Sequence, residues 1–307
     1  MEAAAFTHAP VMLDEVIEAL QVKPEGRYLD GTFGRGGHAM QILARLGENG
    51  TLLLMDRDPE AIAEAQRKFA KDQRVCIRHS NFSEMGSWQE AEKGLDGVFL
   101  DLGVSSPQLD DASRGFSFQA DGPLDMRMDP GTGRSAAEWL AAASEAEIAE
   151  VLWRYGEERL SRRIAKVIVE RRQEEPLQTT AQLAALVAKT IGHRERNKHP
   201  ATRTFQALRI HVNDELGALE TGLDAALERL KPGGRLVVIS FHSLEDRVVK
   251  RFMRGQGSQP INRRNLPPPE AMPNALHALG KRFAGKAELA ANPRSRSAVL
   301  RVAEKCS

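Results

Sequence analysis

The chain reads Arg27-Tyr28-Leu29-Asp30-Gly31-Thr32-Phe33-Gly34-Arg35-Gly36-Gly37-His38 near its start. This order predicts a short strand that ends in an acid, then a glycine-rich turn, then a helix. An apolar stripe on one face marks the helix, and a glycine closes it (Ala39, Ile42, Leu43, Leu46; Gly47). Glycine in such a turn lets a ligand lie against bare backbone amides at the start of a helix.

A second predicted strand, Thr51–Met55, ends in Asp56, nineteen residues after Gly37. A carboxylate in this place can accept hydrogen bonds from both hydroxyls of a ribose. The two strand ends together predict that the chain binds a cofactor containing adenosine.

Two classes of cofactor fit this arrangement. The glycine spacing of residues 34–39 satisfies the loose dinucleotide pattern, which keeps a nicotinamide dinucleotide open. Asp30, however, precedes the turn, where a carboxylate repels a pyrophosphate and attracts a cationic amino-acid group. We therefore expect S-adenosylmethionine, with the ring of Phe82 against its adenine. Asp101, at the end of a fourth predicted strand, would then lie beside the methyl group.

Each of these residues has a plain structural role as its alternative. The role of Asp30 can be limited to accepting hydrogen bonds from loop amides. Asp56 can cap a helix, and Phe82 can belong to the core. His38 can be a polar residue at a helix start that makes no ligand contact. Their order along the chain favours the methyl-donor site more than any one of them does alone.

The composition is that of an ordinary globular protein. The 307 residues are 41% hydrophobic and 28% charged, with a net charge of +1, and are enough for one large domain or two smaller ones. No apolar run approaches the roughly 18–20 residues of a membrane span, and no signal peptide is visible. Cys76 and Cys306 are the only cysteines, which argues against a disulfide framework or a zinc site. We expect a cytoplasmic enzyme.

The first hundred residues alternate strand and helix, with further strands predicted at residues 74–79 and 97–101. Asp58 is the predicted cap of the helix after Asp56. This alternation predicts an α/β fold with a parallel sheet. From about residue 106 to about 200 no strand is predicted. A capping box at Ser144 predicts one helix there, and residues 179–182 are predicted to open another.

The remaining residues return to the α/β pattern. The predicted elements are a long helix (202–230), a turn (231–234), a strand (235–241), a helix (244–253), a proline-rich loop (Pro267–Pro269) and a strand (298–302). We therefore expect a core in two parts, 1–106 and 201–307, interrupted by a helical insert, 107–200.

The net charge gives no global sign of a nucleic-acid binder, but basic residues cluster after residue 150. The clusters are Arg159, Arg162, Arg163 and Lys166; Arg194, Arg196, Lys198, Arg203 and Arg209; Arg247, Lys250, Arg251 and Arg254; and Arg263 with Arg264. Most such clusters are solvated helix faces. Their recurrence nevertheless indicates one anionic partner.

Six blocks of sequence resemble the bacterial ribosomal RNA small subunit methyltransferase H family, also called MraW. The blocks are residues 30–38, 101–108, 114–118, 121–128, 202–210 and 240–247, and the resemblance runs from His8 to about Val302. It implies a class I S-adenosylmethionine-dependent methyltransferase: an α/β, Rossmann-like fold with a mostly parallel sheet and an inserted helical substrate-recognition domain.

The resemblance further implies N4-methylation of a cytidine in the decoding centre of 16S ribosomal RNA, within the small ribosomal subunit. The donor would be S-adenosylmethionine. The cofactor contacts of the family carry over to matching positions of this chain: Gly36, Gly37, His38, Asp56, Phe82, Asp101 and Gln108.

The chemistry of this donor sets what the chain must supply. Its sulfonium already activates the methyl group, so we expect neither a metal ion nor a covalent nucleophile. Other exocyclic-amine methylases place an Asp/Asn-Pro-Pro-aromatic motif after the fourth strand, where this chain has Asp101-Leu102-Gly103-Val104. We expect Asp101 to act electrostatically, with Ser105, Ser106 or His242 contacting the base.

Two questions stay open at this point. His242 can be a proton acceptor or a structural residue at a strand end. A nicotinamide oxidoreductase and a non-catalytic ribosome-associated protein are the alternative functions.

Overall fold

The computed structural model of this protein describes residues 10–192, 199–255 and 274–307. Some predicted features lie outside these ranges: Arg194, Arg196, Lys198, Arg263, Arg264 and the loop Pro267–Pro269.

Seven strands form one sheet in the described residues, in the order β3-β2-β1-β4-β5-β7-β6. Their bounds are β1 Arg27–Asp30, β2 Thr51–Asp56, β3 Val75–His79, β4 Leu95–Asp101, β5 Leu230–Ser240, β6 Leu276–Phe283 and β7 Val299–Lys305. Strands β1 to β5 are parallel, whereas β7 is antiparallel to both β5 and β6. Strand β6 therefore runs in the same direction as β1 to β5. The predicted α/β fold with a mostly parallel sheet is confirmed.

Thirteen α-helices occur in the same residues, and none of them combines the length and apolar character needed to cross a membrane. Their bounds are α1 Leu13–Leu20, α2 Gly37–Leu43, α3 Pro59–Phe69, α4 Gln89–Glu92, α5 Ser106–Asp110, α6 Ala136–Ala142, α7 Glu145–Gly156, α8 Ser161–Glu174, α9 Thr180–Ile191, α10 Thr202–Val212, α11 Glu215–Arg229, α12 Ser243–Met253 and α13 Lys286–Ala291.

The central strands are apolar on both faces because helices cover both sides of the sheet. All four residues from Leu52 to Met55 in β2 are inaccessible to solvent. Leu52 and Leu54 pack with α1, α2 and α3, whereas Leu53 and Met55 pack with α11 and α12.

Several helices begin where their sequences predict. The side chain of Asp58 accepts the Glu60 N–H at 3.0 Å at the start of α3. Ser144 and Thr179 form capping boxes at the starts of α7 and α9.

The chain divides into two compact units, 1–103 with 216–307, and 104–215. The first unit contains the sheet. The second is helical and has its own apolar core, in which α6 to α10 contribute most of the buried residues. The predicted insert, 107–200, lies inside this second unit. So does α10, which the sequence interpretation placed in the core.

The predicted helix over residues 202–230 is wrong, because two helices, α10 and α11, occupy it. Asn213 is buried and its amide bonds to a distant loop, accepting the Met128 N–H at 2.8 Å and donating to the Met126 carbonyl at 2.7 Å. Asp214 then takes a left-handed backbone (φ 46°), which ends the helix.

Strand β6 was not predicted. It lies at the edge of the sheet, and seven of its eight residues are exposed, so its sequence lacks the apolar alternation that marks a half-buried strand. The predicted turn at 231–234 lies within β5, where the pairing with β4 is irregular and Gly233 has a positive φ of 76°.

Candidate active site

Three acids end three parallel strands of the first unit: Asp30 on β1, Asp56 on β2 and Asp101 on β4. In the sheet, Asp30 pairs with Leu54 on one side and with Phe99 on the other. Because β1, β2 and β4 are parallel neighbours, their carboxyl ends meet at one edge. The structure therefore brings these three predicted residues together.

The glycine-rich turn lies over this edge in a conformation that needs glycine. Gly34 and Gly36 have φ values of +55° and +78°, which residues with a side chain rarely adopt. A Cβ on Gly36 would also lie 2.6 Å from the ring of Phe33. Gly36 caps α2, and Gly37 is its first residue, where a Cβ would lie 2.3 Å from Cγ of Pro10.

Asp56 holds the turn to the sheet. Its Oδ2 accepts the Gly34 N–H at 2.8 Å, and its Oδ1 accepts the Asp58 N–H at 2.9 Å. Burial raises the pKa of Asp56 to about 6, although these bonds oppose the shift. A carboxylate offers about four lone-pair sites, so Asp56 keeps capacity for further donors such as ribose hydroxyls.

Asp30 is buried, with 1% of its surface exposed, and its Oδ1 accepts the Thr32 N–H at 3.1 Å. Burial raises the pKa of Asp30 to about 7, and the charge of Asp56 adds to this rise. The bond to the loop is the structural role considered above. It leaves the negative charge of Asp30 without a full counter-charge.

Asp101 is anchored by its backbone, not by its carboxyl group. Its N–H donates to Oγ1 of Thr32 at 2.6 Å, whereas its Oδ1 is buried and has no hydrogen-bond partner in the described part of the chain. Burial raises the pKa of Asp101 well above its usual range, and the charges of Asp30 and Glu245 push it further. Oδ1 of Asp101 can therefore accept a hydrogen bond from a bound ligand or contact a bound cation.

His38 lies buried beside Asp101. Its Nε2 donates to the Val11 carbonyl at 3.0 Å, which assigns the proton to Nε2 and leaves Nδ1 as an acceptor. Nδ1 lies 4.0 Å from Oδ2 of Asp101. Burial lowers the pKa of His38 to about 4, so the ring is neutral at neutral pH.

Phe82 follows β3 and starts a short 3₁₀ helix that Asn81 caps by accepting the Ser83 N–H at 3.0 Å. Its side chain is half-buried between two glycines: a Cβ on Gly31 would lie 2.9 Å from Cβ of Phe82, and one on Gly222 would lie 2.5 Å from its ring. These glycines fix Phe82 beside the turn.

His242 has a capping role. Its Nδ1 accepts the Glu245 N–H at 3.4 Å at the start of α12, and Glu245 in turn accepts the Phe241 N–H at 2.8 Å. Its Nε2 lies 3.0 Å from Oε1 of Glu245 but outside hydrogen-bond geometry. This arrangement favours the structural interpretation of His242.

Three predicted residues belong to the second unit, where they start α5. Ser105 caps this helix, and its N–H donates to Oε1 of Gln108 at 2.9 Å. Gln108 is buried, and Ser106 is the first residue of the helix. The predicted contacts of these three residues with the cofactor or the base stay predictions.

Sequence reasoning missed two residues of the edge. Thr32 positions Asp101, and Glu245 is a buried acid that acts on the pKa of Asp101. The capping box of His242 and Glu245 is visible in the sequence, but its closeness to Asp101 depends on the pairing of β4 with β5.

The edge fits a cationic ligand better than an anionic one. Its buried acids raise one another's pKa, so a bound positive charge would favour their ionised forms. S-adenosylmethionine carries a sulfonium and an ammonium group, whereas the pyrophosphate of a dinucleotide would add negative charge. The residues present therefore fit the methyl donor.

Comparisons with known proteins give one consistent family. The model of the MraW methylase family matches residues 5–306. The ribosomal RNA small subunit methyltransferase H of Stenotrophomonas maltophilia strain K279a is 59% identical over 97% of this chain and 93% of its own length. The protein of the same name from Xanthomonas euvesicatoria is 60% identical over 99% of this chain and 90% of its own.

Among solved structures, an rRNA methylase from Streptococcus thermophilus aligns with 96% of this chain and 94% of its own. Its sequence identity is 10% and its TM-score is 0.43.

Proposed function

Since this chain belongs to the MraW methylase family, we propose that it methylates N4 of a cytidine in the decoding centre of 16S ribosomal RNA. S-adenosylmethionine is the methyl donor. The names of the relatives support a small-subunit ribosomal RNA substrate. The choice of cytidine N4 and of the decoding centre is our proposal, and it comes from the family resemblance together with the chemistry of Asp101.

We assign a part of the donor to each residue of the carboxyl edge. Asp56 would accept the ribose hydroxyls, Phe82 would pack against the adenine, and the amides of Gly36 and Gly37 would line the amino-acid portion. Asp30 and Asp101 would face its positive charges. When bound, the donor supplies an electrophilic methyl group, so the protein has no need to generate one.

The task of the protein is then to position an amine and to receive its proton. Well-oriented reactants can recover about 7–11 kcal/mol of the barrier. The N4 nitrogen of cytosine is a poor nucleophile because its lone pair is delocalised into the ring. An acceptor for the N4 hydrogens would localise that lone pair and stabilise the developing positive charge.

The observation that carries the proposal is the free Oδ1 of Asp101, a buried acceptor at the end of β4. The positive charge of the bound donor would favour the ionised form of Asp101, which is the form that can accept hydrogens from N4. His242 is a weaker candidate, since its Nδ1 already accepts the Glu245 N–H. We therefore assign the proton acceptor to Asp101.

The second unit would bind the RNA around the target. Arg159, Arg162 and Arg163 are exposed, and none of them has an acidic partner among the described residues. Such cations bind phosphates without reading sequence. The target base has to leave its stack, which costs a few kcal/mol unless it is already unpaired. A substrate of this kind implies a cytoplasmic location, and we take the assembled small subunit as its context.

The test is nucleoside mass spectrometry of 16S ribosomal RNA from a strain that lacks the gene. N4-methylcytidine should be absent there, return with the wild-type gene, and stay absent with Asp101→Asn. Restoration by Asp101→Asn would contradict the role of Asp101. Methylation of another nucleoside would contradict the substrate, and binding of NAD instead of S-adenosylmethionine would contradict the whole proposal.

A further inference from the structure

The last residue of β6, Phe283, is an exposed aromatic at the carboxyl edge of the sheet, where the strands with Asp30, Asp56 and Asp101 also end. It is 58% exposed, and the Nζ of Lys281 lies 4.9 Å from the centre of its ring. Single exposed apolar side chains are common on protein surfaces. The position of Phe283 and the charges around it distinguish it from Leu279, which is 42% exposed on the same strand.

The register of the sheet fixes the position of Phe283. Asp101 pairs with Ile239 on β5, Ile239 with Leu300 on β7, and Leu300 with Arg282 on β6. Phe283 thus lies one residue beyond the row of Asp101, three strand spacings away. At about 4.8 Å per spacing, the distance between the two backbones is about 14 Å, which about four stacked nucleotides can span.

The face of Phe283 is basic. Lys281 and Phe283 lie on the face that carries Arg301, whose guanidinium pairs with Asp246 of α12 at 2.6 Å. Arg247 and Lys250 are exposed on that helix. Arg282 points to the other face, where Glu18 of α1 pairs with it at 2.6 Å.

The surrounding segment is also more basic than the chain. Residues 276–297 contain five Lys or Arg residues and a single acid, Glu288, whereas the whole chain has 43 basic and 42 acidic residues. Glu288 is itself occupied, because its carboxylate accepts the Met12 N–H at 2.7 Å. Net positive charge beside an exposed ring suits a polyanion with aromatic bases.

We infer that Phe283 and Lys281 bind a single-stranded segment of the RNA substrate a few nucleotides from the methylated base. The ring of Phe283 stacks on one base, and Lys281 contacts a phosphate. This inference rests on the proposed function for the identity of the RNA. It adds an RNA contact on the first unit that is separate from the cations of α8.

The experiment titrates a fluorescent single-stranded RNA dodecamer of mixed sequence with the full chain. We expect Phe283→Ala to weaken binding about tenfold and Phe283→Trp to retain it, because stacking depends on the π-face. Lys281→Gln should remove one phosphate contact and so reduce the slope of log K against log salt concentration by about one. Leu279 is also exposed on β6 but lies away from the carboxyl edge. Leu279→Ala is therefore the matched control and should bind like wild type.

Equal binding by Phe283→Ala and wild type would overturn the inference, as would equal weakening by Leu279→Ala. A loss of methylation on assembled subunits with unchanged dodecamer binding would assign Phe283 to a protein partner and overturn it as well. Failure of the wild type to methylate 16S ribosomal RNA would reject the proposed function alone, since the dodecamer titration does not depend on which base is modified.

Discussion

The carboxyl edge of the sheet and the exposed face of α8 hold charge in opposite ways. At the edge, Asp30, Asp56 and Asp101 are acids whose pKa values burial has raised. On α8, Arg162 and Arg163 lie in water without an acidic partner in the part of the chain that the structure describes. A buried unpaired charge costs free energy until a ligand of opposite charge binds it. An exposed positive charge costs little and attracts a polyanion over a distance.

This contrast separates two kinds of failure. Changes at the edge should affect donor binding and the chemical step, because the acids there act at short range on one ligand. Changes on α8 should affect capture of the RNA and its salt dependence, because those cations act on a diffuse charge.

The largest effect is expected from Asp101→Asn. Removal of the base should lower kcat at saturating donor and RNA by at least about 100-fold, the range of general-base catalysis. Glu48→Gln, an exposed acid of the same unit, is the control and should leave kcat unchanged. A kcat for Asp101→Asn within a factor of three of wild type would remove Asp101 from the chemistry.

The next effect concerns Asp56→Ala and donor affinity. Loss of hydrogen bonds to a charged acceptor, at about 1.5–3 kcal/mol each, should weaken binding of S-adenosylmethionine by about 10-fold or more in titration calorimetry. Since Asp56 also holds Gly34 and Asp58, a thermal melt has to show that the variant is folded. An unchanged affinity in folded protein would assign Asp56 to the turn alone.

The acids at the edge also predict a pH dependence of binding. A cation favours the ionised acids, so binding should release protons, and donor affinity should rise from pH 5 to pH 8 by up to about tenfold per pH unit. Asp30→Asn removes the group with a pKa near 7 and should flatten this rise. Affinity that is constant across the range would show that the acids are ionised before the donor binds.

The same shift affects the stability of the free protein. The pKa of Asp30 is raised from 3.8 to about 7, so its contribution to stability is complete below pH 3.8 and is lost as pH rises toward 7. The pKa of His38 is lowered from 6.5 to about 4, so its contribution is present above pH 6.5 and is lost as pH falls through 4. Thermal melts of Asp30→Asn and wild type should separate the contribution of Asp30 from that of His38. The difference in melting temperature between the two proteins should be largest at pH 8.

A smaller effect is expected on the other side of the comparison. Charge reversal in Arg162→Glu/Arg163→Glu should weaken binding of 16S ribosomal RNA severalfold at low salt and reduce the salt slope by about two. The pair Arg45→Glu/Arg67→Glu on the first unit changes the net charge equally and serves as the control. An identical slope in both double variants would mean that α8 contributes only net charge.

The smallest effect tests whether the units are separately stable. Ser144→Ala removes the cap of α7 and should cost about 1 kcal/mol of stability. Hydrogen exchange should then quicken in α7, whereas the amides of β2 should keep their protection. Equal losses in both elements would show that the two units unfold together.

Much of the edge could be predicted from sequence because its signals are local. Asp30, Asp56 and Asp101 each follow an apolar run, and the glycines that need positive φ lie between the first two. The caps at Asp58 and Ser144 likewise depend on residues two or three positions apart.

The features that sequence reasoning missed depend on distant partners. The break at Asn213 requires the loop at 126–128, which lies more than eighty positions earlier. Glu245 reaches Asp101 only through strand pairing. Strand β6 pairs with β7 through its backbone, and its exposed side chains leave no apolar period to detect.

The exposed edge of β6 also bears on solubility. An outermost strand with unpaired backbone groups is a template on which a second chain can add, and proteins block such addition with charge and irregularity. Here Lys281 and Arg282 are consecutive, and the pairing of β6 with β7 shifts register between Ala278 and Gly280, which has a φ of +122°. These features would keep neighbouring molecules from joining their sheets in a crowded cell, so neutral replacements at both cations would expose the chain to aggregation.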